Sequence, residues 1–199
     1  MITPKLTAKG RATRDRIVRA AAELMLVRGV ARTTIEDIQD AAKVSASQMY
    51  HYFADKDALV AAVIDQQAEQ VLSVQQHGLE RIDTIDSLHR WRDVMVAIMR
   101  DINCVGGCPI GSLAADLAET DPLARARVQH AFALWEGMLR DGLATLAANG
   151  EIPAHADLDR LALALLASVQ GGLLLSQVRR DTGPLEAAVD TMIEHLRAL

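Results

Sequence analysis

Residues 33–56 read TTIEDIQDAAKVSASQMYHYFADK, and this stretch decides how the first part of the chain folds. Paired threonines at its start precede acidic residues at the spacing of a helix N-cap, and Ser45 precedes a second run of helix-forming residues. The pattern predicts two short helices, about Thr34–Ala42 and Ala46–Phe53, joined by the three residues Lys43–Ser45. Two helices joined by so short a turn are typical of a helix-turn-helix motif.

The second predicted helix has an apolar face and a polar face. Five apolar side chains can close a small core around the turn: Ile35, Ile38, Val44, Met49 and Phe53. The opposite face carries short, polar or aromatic groups: Ala46, Ser47, Gln48, Tyr50, His51 and Tyr52. Gln48 can form two hydrogen bonds with the edge of an adenine, while hydroxyl and imidazole groups can reach phosphates. The two tyrosines can equally pack with their hydroxyls in water, and a lone histidine is often only a surface residue. The face as a whole favours contact with DNA.

The charges of the chain are unevenly distributed. Residues 1–56 contain ten Lys and Arg against six Asp and Glu, a net of +4, whereas residues 57–199 contain eleven against twenty, a net of −9. This asymmetry indicates a basic recognition end on an acidic body. Lys56 stands at a predicted helix N-terminus, where the helix dipole disfavours a cation, so an anionic partner such as phosphate is expected there. The basic start of the chain, about residues 1–12, is either a solvated end or an arm that follows the DNA backbone or minor groove.

Helical periodicity continues along the rest of the chain. Around the motif it predicts helices at Arg14–Arg28, from Lys56 to a stop at Gly78, at Ser87–Ile102, from about Ser112, from Pro122 to Asn149, at about 157–180 and at about 184–198. We therefore predict an all-α protein of about nine helices. A three-helix, DNA-binding helix-turn-helix domain is expected at residues 1–56, and a second helical domain at residues 57–199.

Several classes of protein are disfavoured by the composition. The start of the chain has no apolar segment of the kind found in secretory signals. The most apolar stretch, Leu158–Val178, contains no apolar run longer than Leu161–Ala167, which is too short to span a bilayer. The sequence shows no nucleophile–base pair, metal-ligand cluster or phosphate-binding glycine loop, so no enzyme, metal site or cofactor is expected. A cytoplasmic protein without membrane contact is the expectation.

Residues 13–64, TRDRIVRAAAELMLVRGVARTTIEDIQDAAKVSASQMYHYFADKDALVAAVI, resemble the N-terminal module of the TetR family of transcriptional regulators. The shared features are an amphipathic helix ending in R-G-V, the start T-T-x-x-D-I, the run V-S-x-x-x-x-Y-x-Y-F and the run K-D-A-L. The resemblance implies DNA contacts by Thr34 and by the polar face of the second short helix, and a phosphate contact by Lys56. Lys43 stands where the family usually has glycine, and it either adds a phosphate contact or alters the geometry of the turn.

The second half of the chain resembles a subgroup of multidrug-type TetR regulators akin to the lincomycin-resistance regulators. The shared features are a Gly-Cys-Pro turn at Cys108–Pro109, an F-x-x-W at Phe132 and Trp135, and a Gln-Gly pair at Gln170–Gly171. This resemblance implies a pocket for a small apolar or aromatic effector, framed by the fourth to eighth helices.

Seven residues are candidates for contact with that effector: Trp91, Met95, Met99, Cys104, Phe132, Trp135 and Gln170. Methionine beside tryptophan gives an adaptable apolar surface, although each apolar residue can equally belong to the core. Gln170 is a polar amide in an apolar helix, so it needs a partner, which can be backbone, the other subunit or a ligand.

The last two predicted helices, about 157–180 and 184–198, are expected to form a homodimer interface. The first of them is apolar on almost every side, so one of its faces must be covered by something other than its own subunit. Two helices from each subunit would make a four-helix bundle with two-fold symmetry. Such a dimer presents two recognition helices to successive major grooves of a pseudo-palindromic, double-stranded DNA operator.

The resemblance implies a repressor that leaves its operator when the effector enters and tilts the fourth helix. The alternative is a thiol-reactive regulator that senses redox state through Cys104 and Cys108. The C-x3-C spacing of these residues lacks a second pair of metal ligands, and the adjoining glycines and proline indicate a turn. A structural or pocket-lining role for the two cysteines is therefore also open.

Overall fold

The computed structural model describes residues 6–80 and 82–199, and nine α-helices lie within them. In chain order these are α1 (Ala8–Arg28), α2 (Ile35–Ala42), α3 (Ala46–Tyr52), α4 (Lys56–Leu79), α5 (Ile85–Asp101), α6 (Pro109–Leu117), α7 (Pro122–Ala148), α8 (Leu158–Arg179) and α9 (Gly183–Arg197). The described residues contain no β-strand. The prediction of an all-α chain with about nine helices is confirmed.

The two short helices of the motif begin at matching capping boxes. The Thr34 hydroxyl accepts a hydrogen bond from the Asp37 amide at 3.1 Å, and the Asp37 carboxylate accepts one from the Thr34 amide at 3.0 Å. Ser45 and Gln48 repeat this arrangement at the start of α3, at 3.2 and 3.0 Å. Because helices of 8 and 7 residues are too short to be stable in isolation, they depend on these caps and on the core beneath them.

The basic arm predicted at about residues 1–12 is partly helical. α1 begins at Ala8 instead of Arg14, because the Thr7 hydroxyl caps its first turn by accepting a hydrogen bond from a backbone amide at 3.1 Å. Residues 1–5 of the predicted arm lie outside the described residues.

Two further helix ends differ from the sequence prediction. α6 begins at Pro109 instead of Ser112, since proline fits the first turn of a helix, where its missing N–H costs nothing. Gly78, the predicted stop of the fourth helix, lies one residue before the end of α4 at Leu79. A Cβ atom on Gly78 would come within 2.8 Å of Cδ1 of Trp91, so this glycine also permits close packing near the end of the helix.

The chain forms two compact units, each with its own buried apolar core. The head unit comprises the described residues up to Ala68 together with Leu113–Val128. The body unit comprises Glu69–Ser112 together with Gln129–Leu199. Helices α4, α6 and α7 therefore contribute residues to both units.

The core of the head unit takes one fully buried side chain from each of the first four helices: Ile17, Ile38, Met49 and Leu59. Of the remaining residues expected around the turn, Phe53 is buried, while Ile35 and Val44 are half-buried. Arg16 fastens α1 to the end of α2, because its Nε donates a hydrogen bond to the carbonyl of Ala42 at 2.8 Å. The helix-turn-helix is thus anchored on α1 by apolar burial and by polar side chains of α1, since Arg28 also pairs with Asp37 of α2 at 3.3 Å.

In the body unit, α8 and α9 pack at short range. A Cβ atom on Gly172 would lie 2.8 Å from the Cα atom of Leu185, so the two backbones approach as closely as only glycine permits. Ion pairs join α5 to α9, including Arg92 with Asp190 at 3.2 Å. These contacts make α5, α8 and α9 one packed assembly.

The turn of the motif generates a prediction about stability. Lys43 ends α2 in the left-handed conformation, with φ 51° and ψ 53°, which glycine adopts without strain. We expect Lys43→Gly to raise the free energy of unfolding by about 1 kcal/mol, a rise in Tm of roughly 2–4 °C. Lys43→Ala retains the Cβ atom and is the matched control in thermal unfolding followed by circular dichroism. A Tm for the glycine variant no higher than that of the alanine variant would contradict the prediction.

Candidate nucleic-acid interface and effector site

Helix α3 presents an exposed face on the head unit. Its residues Ala46, Ser47, Gln48, Tyr50 and His51 are exposed, and Tyr52 is half-buried. Met49, on the other side of the helix, is fully buried. The structure therefore brings together the polar and aromatic residues that the sequence analysis selected, and it offers them to a partner outside the chain.

Two of the candidate DNA contacts already serve as helix caps. The Thr34 hydroxyl also donates a hydrogen bond to the Asp37 carboxylate at 2.7 Å. The hydrogen bond from the Thr34 amide is the main reason why the pKa of Asp37 lies below its usual value, and the bond from the Thr34 hydroxyl lowers that pKa further. Oε1 of Gln48 accepts the Ser45 amide, so Gln48 can meet an adenine with both amide atoms only when this cap opens.

The two candidate lysines have different surroundings. Lys43 is exposed at the end of α2. Lys56, at the start of α4, donates a hydrogen bond from its ammonium to the carbonyl of Val30 at 2.7 Å. Because an ammonium group has three donors, this bond is compatible with a contact to phosphate.

Tyr52 leans towards the first turn of α1. Its ring meets that of His51 edge-on, with centroids 4.9 Å apart, and its hydroxyl lies 3.6 Å from the position of a Cβ atom on Gly10. The guanidinium of Arg14 lies over the ring of Phe53, 5.3 Å from its centroid. Packing against α1 is therefore part of the role of Tyr52, in addition to any contact with DNA.

All seven candidate effector residues lie in the body unit. The three on α5, Trp91, Met95 and Met99, are buried in its core. Nε1 of Trp91 donates a hydrogen bond to Oε1 of the buried Gln75 at 2.8 Å. The indole of Trp91 therefore has an internal partner.

Two other candidates carry buried donors without partners. Trp135 on α7 is 1% exposed, and within the described part of the chain its Nε1 has no hydrogen-bond partner. Gln170 on α8 places Oε1 2.9 Å from the position of a Cβ atom on Gly111 and contacts the Cys108 thiol. Its buried Nε2 has no oxygen or nitrogen acceptor within hydrogen-bond distance among the described residues. An unpaired buried donor costs free energy, so these two groups are open to an added acceptor. Phe132, three residues before Trp135, is half-buried.

Both cysteines are free and buried. Burial raises the pKa of the Cys108 thiol, an effect that a hydrogen bond from the Gly111 amide offsets in part. A thiol that stays protonated is a poor nucleophile at neutral pH. Within residues 6–80 and 82–199, no three His, Cys, Asp or Glu side chains are grouped to hold a metal ion.

A cavity of about 590 Å³ opens in the body unit beside the turn that follows α5. Its lining residues are Arg100, Asn103, Cys104, Val105, Arg180, Asp181 and Thr182. Of the candidate effector residues, Cys104 takes part in this lining, and the guanidinium of Arg180 donates to its carbonyl at 2.8 Å. The cavity is largely polar, unlike the apolar pocket that the resemblance implies.

Two polar contacts are not indicated by any pattern in the sequence. Gln75 accepts the indole N–H of Trp91, and the carboxylate of Asp116 on α6 accepts the amide of Val30 at 2.9 Å across 86 residues of chain. Neither acceptor belongs to a motif, and each meets a residue far from it in sequence. Only tertiary packing identifies these pairs.

Helix α8 carries an exposed apolar stripe. Leu163, Leu174, Leu175 and Val178 are each at least 50% exposed, and a Cβ atom on Gly171 would meet nothing within 4 Å. By length and composition alone α8 could cross a membrane, yet 44% of its most apolar window is buried inside the protein. Core helices of soluble proteins share these properties, so they are weak evidence for a membrane segment.

Comparison with known families matches both halves of the chain to related descriptions. Residues 17–63 match "Bacterial regulatory proteins, tetR family", and residues 84–192 match "Tetracyclin repressor-like, C-terminal domain". The second match alone covers more than half of the chain.

Individual relatives are similar along nearly their whole length. The chain is 30% identical to the HTH-type transcriptional regulator TtgR of Pseudomonas putida, over 93% of this chain and 91% of that protein. It is 24% identical to the HTH-type transcriptional repressor DhaR of a Mycobacterium species, over 92% and 91% of the two chains. A solved structure of a TetR transcriptional regulator from Chloroflexus aurantiacus has a TM-score of 0.77 and 32% identity, over 95% and 96% of the two chains.

Proposed function

This chain belongs to the TetR family of transcriptional regulators, and on that premise we propose that it is a repressor which a small effector releases from a pseudo-palindromic DNA operator. Regulators of this family bind DNA operators as dimers. The exposed polar face of α3 is the observation that carries the proposal. In functional terms residues 1–56 read the operator, and residues 57–199 bind the effector and dimerise. We place the protein in the cytoplasm, where its operator is.

Recognition of the operator combines a few base contacts with several phosphate contacts. Gln48 and the small residues beside it on α3 are suited to base edges, whereas Lys43 and Lys56 are suited to phosphates. Their placement within residues 1–56, which carry a net charge of +4, supports this division of roles. Thr34, at the start of α2, adds a hydroxyl beside the same surface.

Dimerisation through α8 and α9 accounts for the exposed apolar stripe on α8. Leucines and valine at such exposure are costly in water, and a second copy of the stripe buries them. Gly171 lets the two copies of α8 approach closely. An isologous contact of this kind has two-fold symmetry, which matches a pseudo-palindromic operator.

The effector is a small apolar or aromatic molecule that also carries a hydrogen-bond acceptor. The apolar part is favoured by the tryptophan, phenylalanine and methionine side chains of the body unit. The acceptor is favoured by Nε1 of Trp135 and Nε2 of Gln170, two buried donors that an oxygen of the effector can satisfy.

Release follows from the continuity of α4, which runs without a break from Lys56 to Leu79. An effector that displaces the later turns of α4 moves Lys56 as well, and the two heads of the dimer lose their spacing for adjacent grooves. A coupling free energy of about 1–3 kcal/mol changes operator affinity roughly 5- to 150-fold. The relative named DhaR is a transcriptional repressor, which supports repression over activation for this protein.

Operator recognition is tested by selection of binding sites from random double-stranded DNA. We expect a pseudo-palindromic site whose affinity falls steeply with salt, because many phosphate contacts release counterions. Gln48→Ala should relax the sequence preference, whereas Lys43→Ala or Lys56→Ala should weaken binding to all sequences and lower the salt slope by about 1. Gln48→Glu retains an acceptor for the Ser45 amide, so it separates loss of base contact from loss of the cap. A protein that selects no site would contradict the proposal.

The class of effector is tested with two probes that differ in one carbonyl oxygen, 2-acetylnaphthalene and 2-ethylnaphthalene. We expect the ketone to bind about fivefold more tightly in calorimetry, since it supplies the acceptor that the buried donors lack. Trp135→Phe and Gln170→Leu keep the apolar surface and should reduce that preference. Equal binding of both probes to the unaltered protein would count against an acceptor-bearing effector.

Thiol sensing through Cys104 and Cys108 is the alternative function, favoured by the position of Cys104 at the edge of an open cavity. The raised pKa of Cys108 and the burial of both thiols argue against it. We therefore expect the native protein to react slowly with a thiol reagent at pH 7 and to bind operator normally after treatment with peroxide, as the Cys104→Ser/Cys108→Ser variant does. Peroxide that releases the unaltered protein, but not the double serine variant, would favour the alternative.

A further inference from the structure

We propose that Asp116 is a positioning residue for DNA binding, which acts through the backbone of Val30 on the ammonium of Lys56. The inference rests on the proposed function, in which Lys56 contacts a phosphate of the operator. It adds a residue of α6 to the group that determines operator affinity.

The backbone of Val30 is held by a side chain on each side. Its amide donates to Oδ2 of Asp116 at 2.9 Å, and its carbonyl accepts from Nζ of Lys56 at 2.7 Å. Val30 is only 6% exposed, so these charge-assisted hydrogen bonds are partly shielded from water. Asp116 therefore holds Val30 in place, and the carbonyl of Val30 in turn holds the ammonium of Lys56.

Val30 needs such a restraint because it follows a glycine in an unusual conformation. Gly29 ends α1 with φ +80° and ψ 157°, a region that other residues rarely adopt. A Cβ atom on Gly29 would lie 3.2 Å from Oδ2 of Asp116, which shows how closely the carboxylate approaches this turn. Without the acceptor, the glycine leaves the following backbone free to rotate, and the carbonyl no longer holds the ammonium in one place.

The negative charge of Asp116 disfavours DNA binding, so the sign of the change in operator affinity on its removal is informative. Asp116 is exposed, and a carboxylate near a phosphate contact repels the nucleic acid. Removal of its charge alone should therefore strengthen operator binding. A loss of affinity on removal of Asp116 must come from the hydrogen bond to Val30.

The chain offers a matched control in Asp65, a second carboxylate of the head unit. Both of its oxygens accept from Nη1 of Arg127 at 2.9 Å, so it joins α4 to the start of α7. Asp65→Ala removes the same charge and a comparable interhelical contact, but it leaves the Val30 backbone intact.

The test is a double-mutant cycle between Asp116→Ala and Lys56→Met, with affinity for the selected operator measured at several salt concentrations. We expect Asp116→Ala to weaken binding by about three- to tenfold and to lower the salt slope by up to about 1, as Lys56→Met does. In the Lys56→Met background, Asp116→Ala should cause no further loss. Asp116→Asn keeps an oxygen acceptor for the Val30 amide without the charge, so it and Asp65→Ala should bind at least as tightly as the unaltered protein.

Several results would overturn the proposal. These are an equal loss from Asp116→Ala in both backgrounds, no loss at all, a loss with Asp116→Asn as large as with Asp116→Ala, or a Lys56→Met variant with an unchanged salt slope. An unaltered protein that selects no operator would instead refute the proposed function itself. Alanine suits an exposed helical position, so the variant should fold; should it fail, Asp116→Ser, whose hydroxyl is too short to reach Val30, supplies the same cycle.

Discussion

The recognition motif depends on side-chain acceptors for the amides that begin its two short helices. The first four amides of any helix lack partners within it, and in helices of 8 and 7 residues they are about half of the total. The Thr34 and Ser45 capping boxes satisfy amides at both starts, and loss of such a cap typically costs about 1 kcal/mol. Buried Ile38 and Met49 then fix how the helices cross, so the outward face of α3 is set by local hydrogen bonds and a very small core.

The same side chains that cap these helices are candidates for contact with DNA, and this double use shapes their chemistry. A base contact by both amide atoms of Gln48 requires the cap at Ser45 to open. A good two-bond base contact is worth about 1–3 kcal/mol, and a cap about 1 kcal/mol. The base contact can therefore replace the cap, but the net free energy that discriminates between bases is smaller. Lys43 presents a related compromise, because its left-handed backbone is strained while its charge favours phosphate.

The body unit poses a different physical problem, which is an excess of apolar surface. α8 buries one side against its own subunit and leaves Leu163, Leu174 and Val178 exposed on the other. The aqueous cost of that stripe, and not any single contact, is the reason to expect a partner of identical surface. The core of the body unit, by contrast, contains unpaired polar groups. Nε1 of Trp135 and Nε2 of Gln170 are buried donors without an oxygen or nitrogen acceptor among the described residues.

The sequence by itself determined the number of helices, the helix-turn-helix and the residues exposed on α3, because caps and a 3.6-residue period are local properties. The larger errors concerned helix starts, since α1 begins at Ala8 instead of Arg14 and α6 at Pro109 instead of Ser112. Gly78 lies one residue before the end of α4, where it also makes room for Trp91. The tertiary structure alone decided that Trp91 has an internal partner while Trp135 has none among the described residues, and that Asp116 meets Val30. Such pairings depend on which distant segments pack together, and the spacing of residues along a chain carries no information about that.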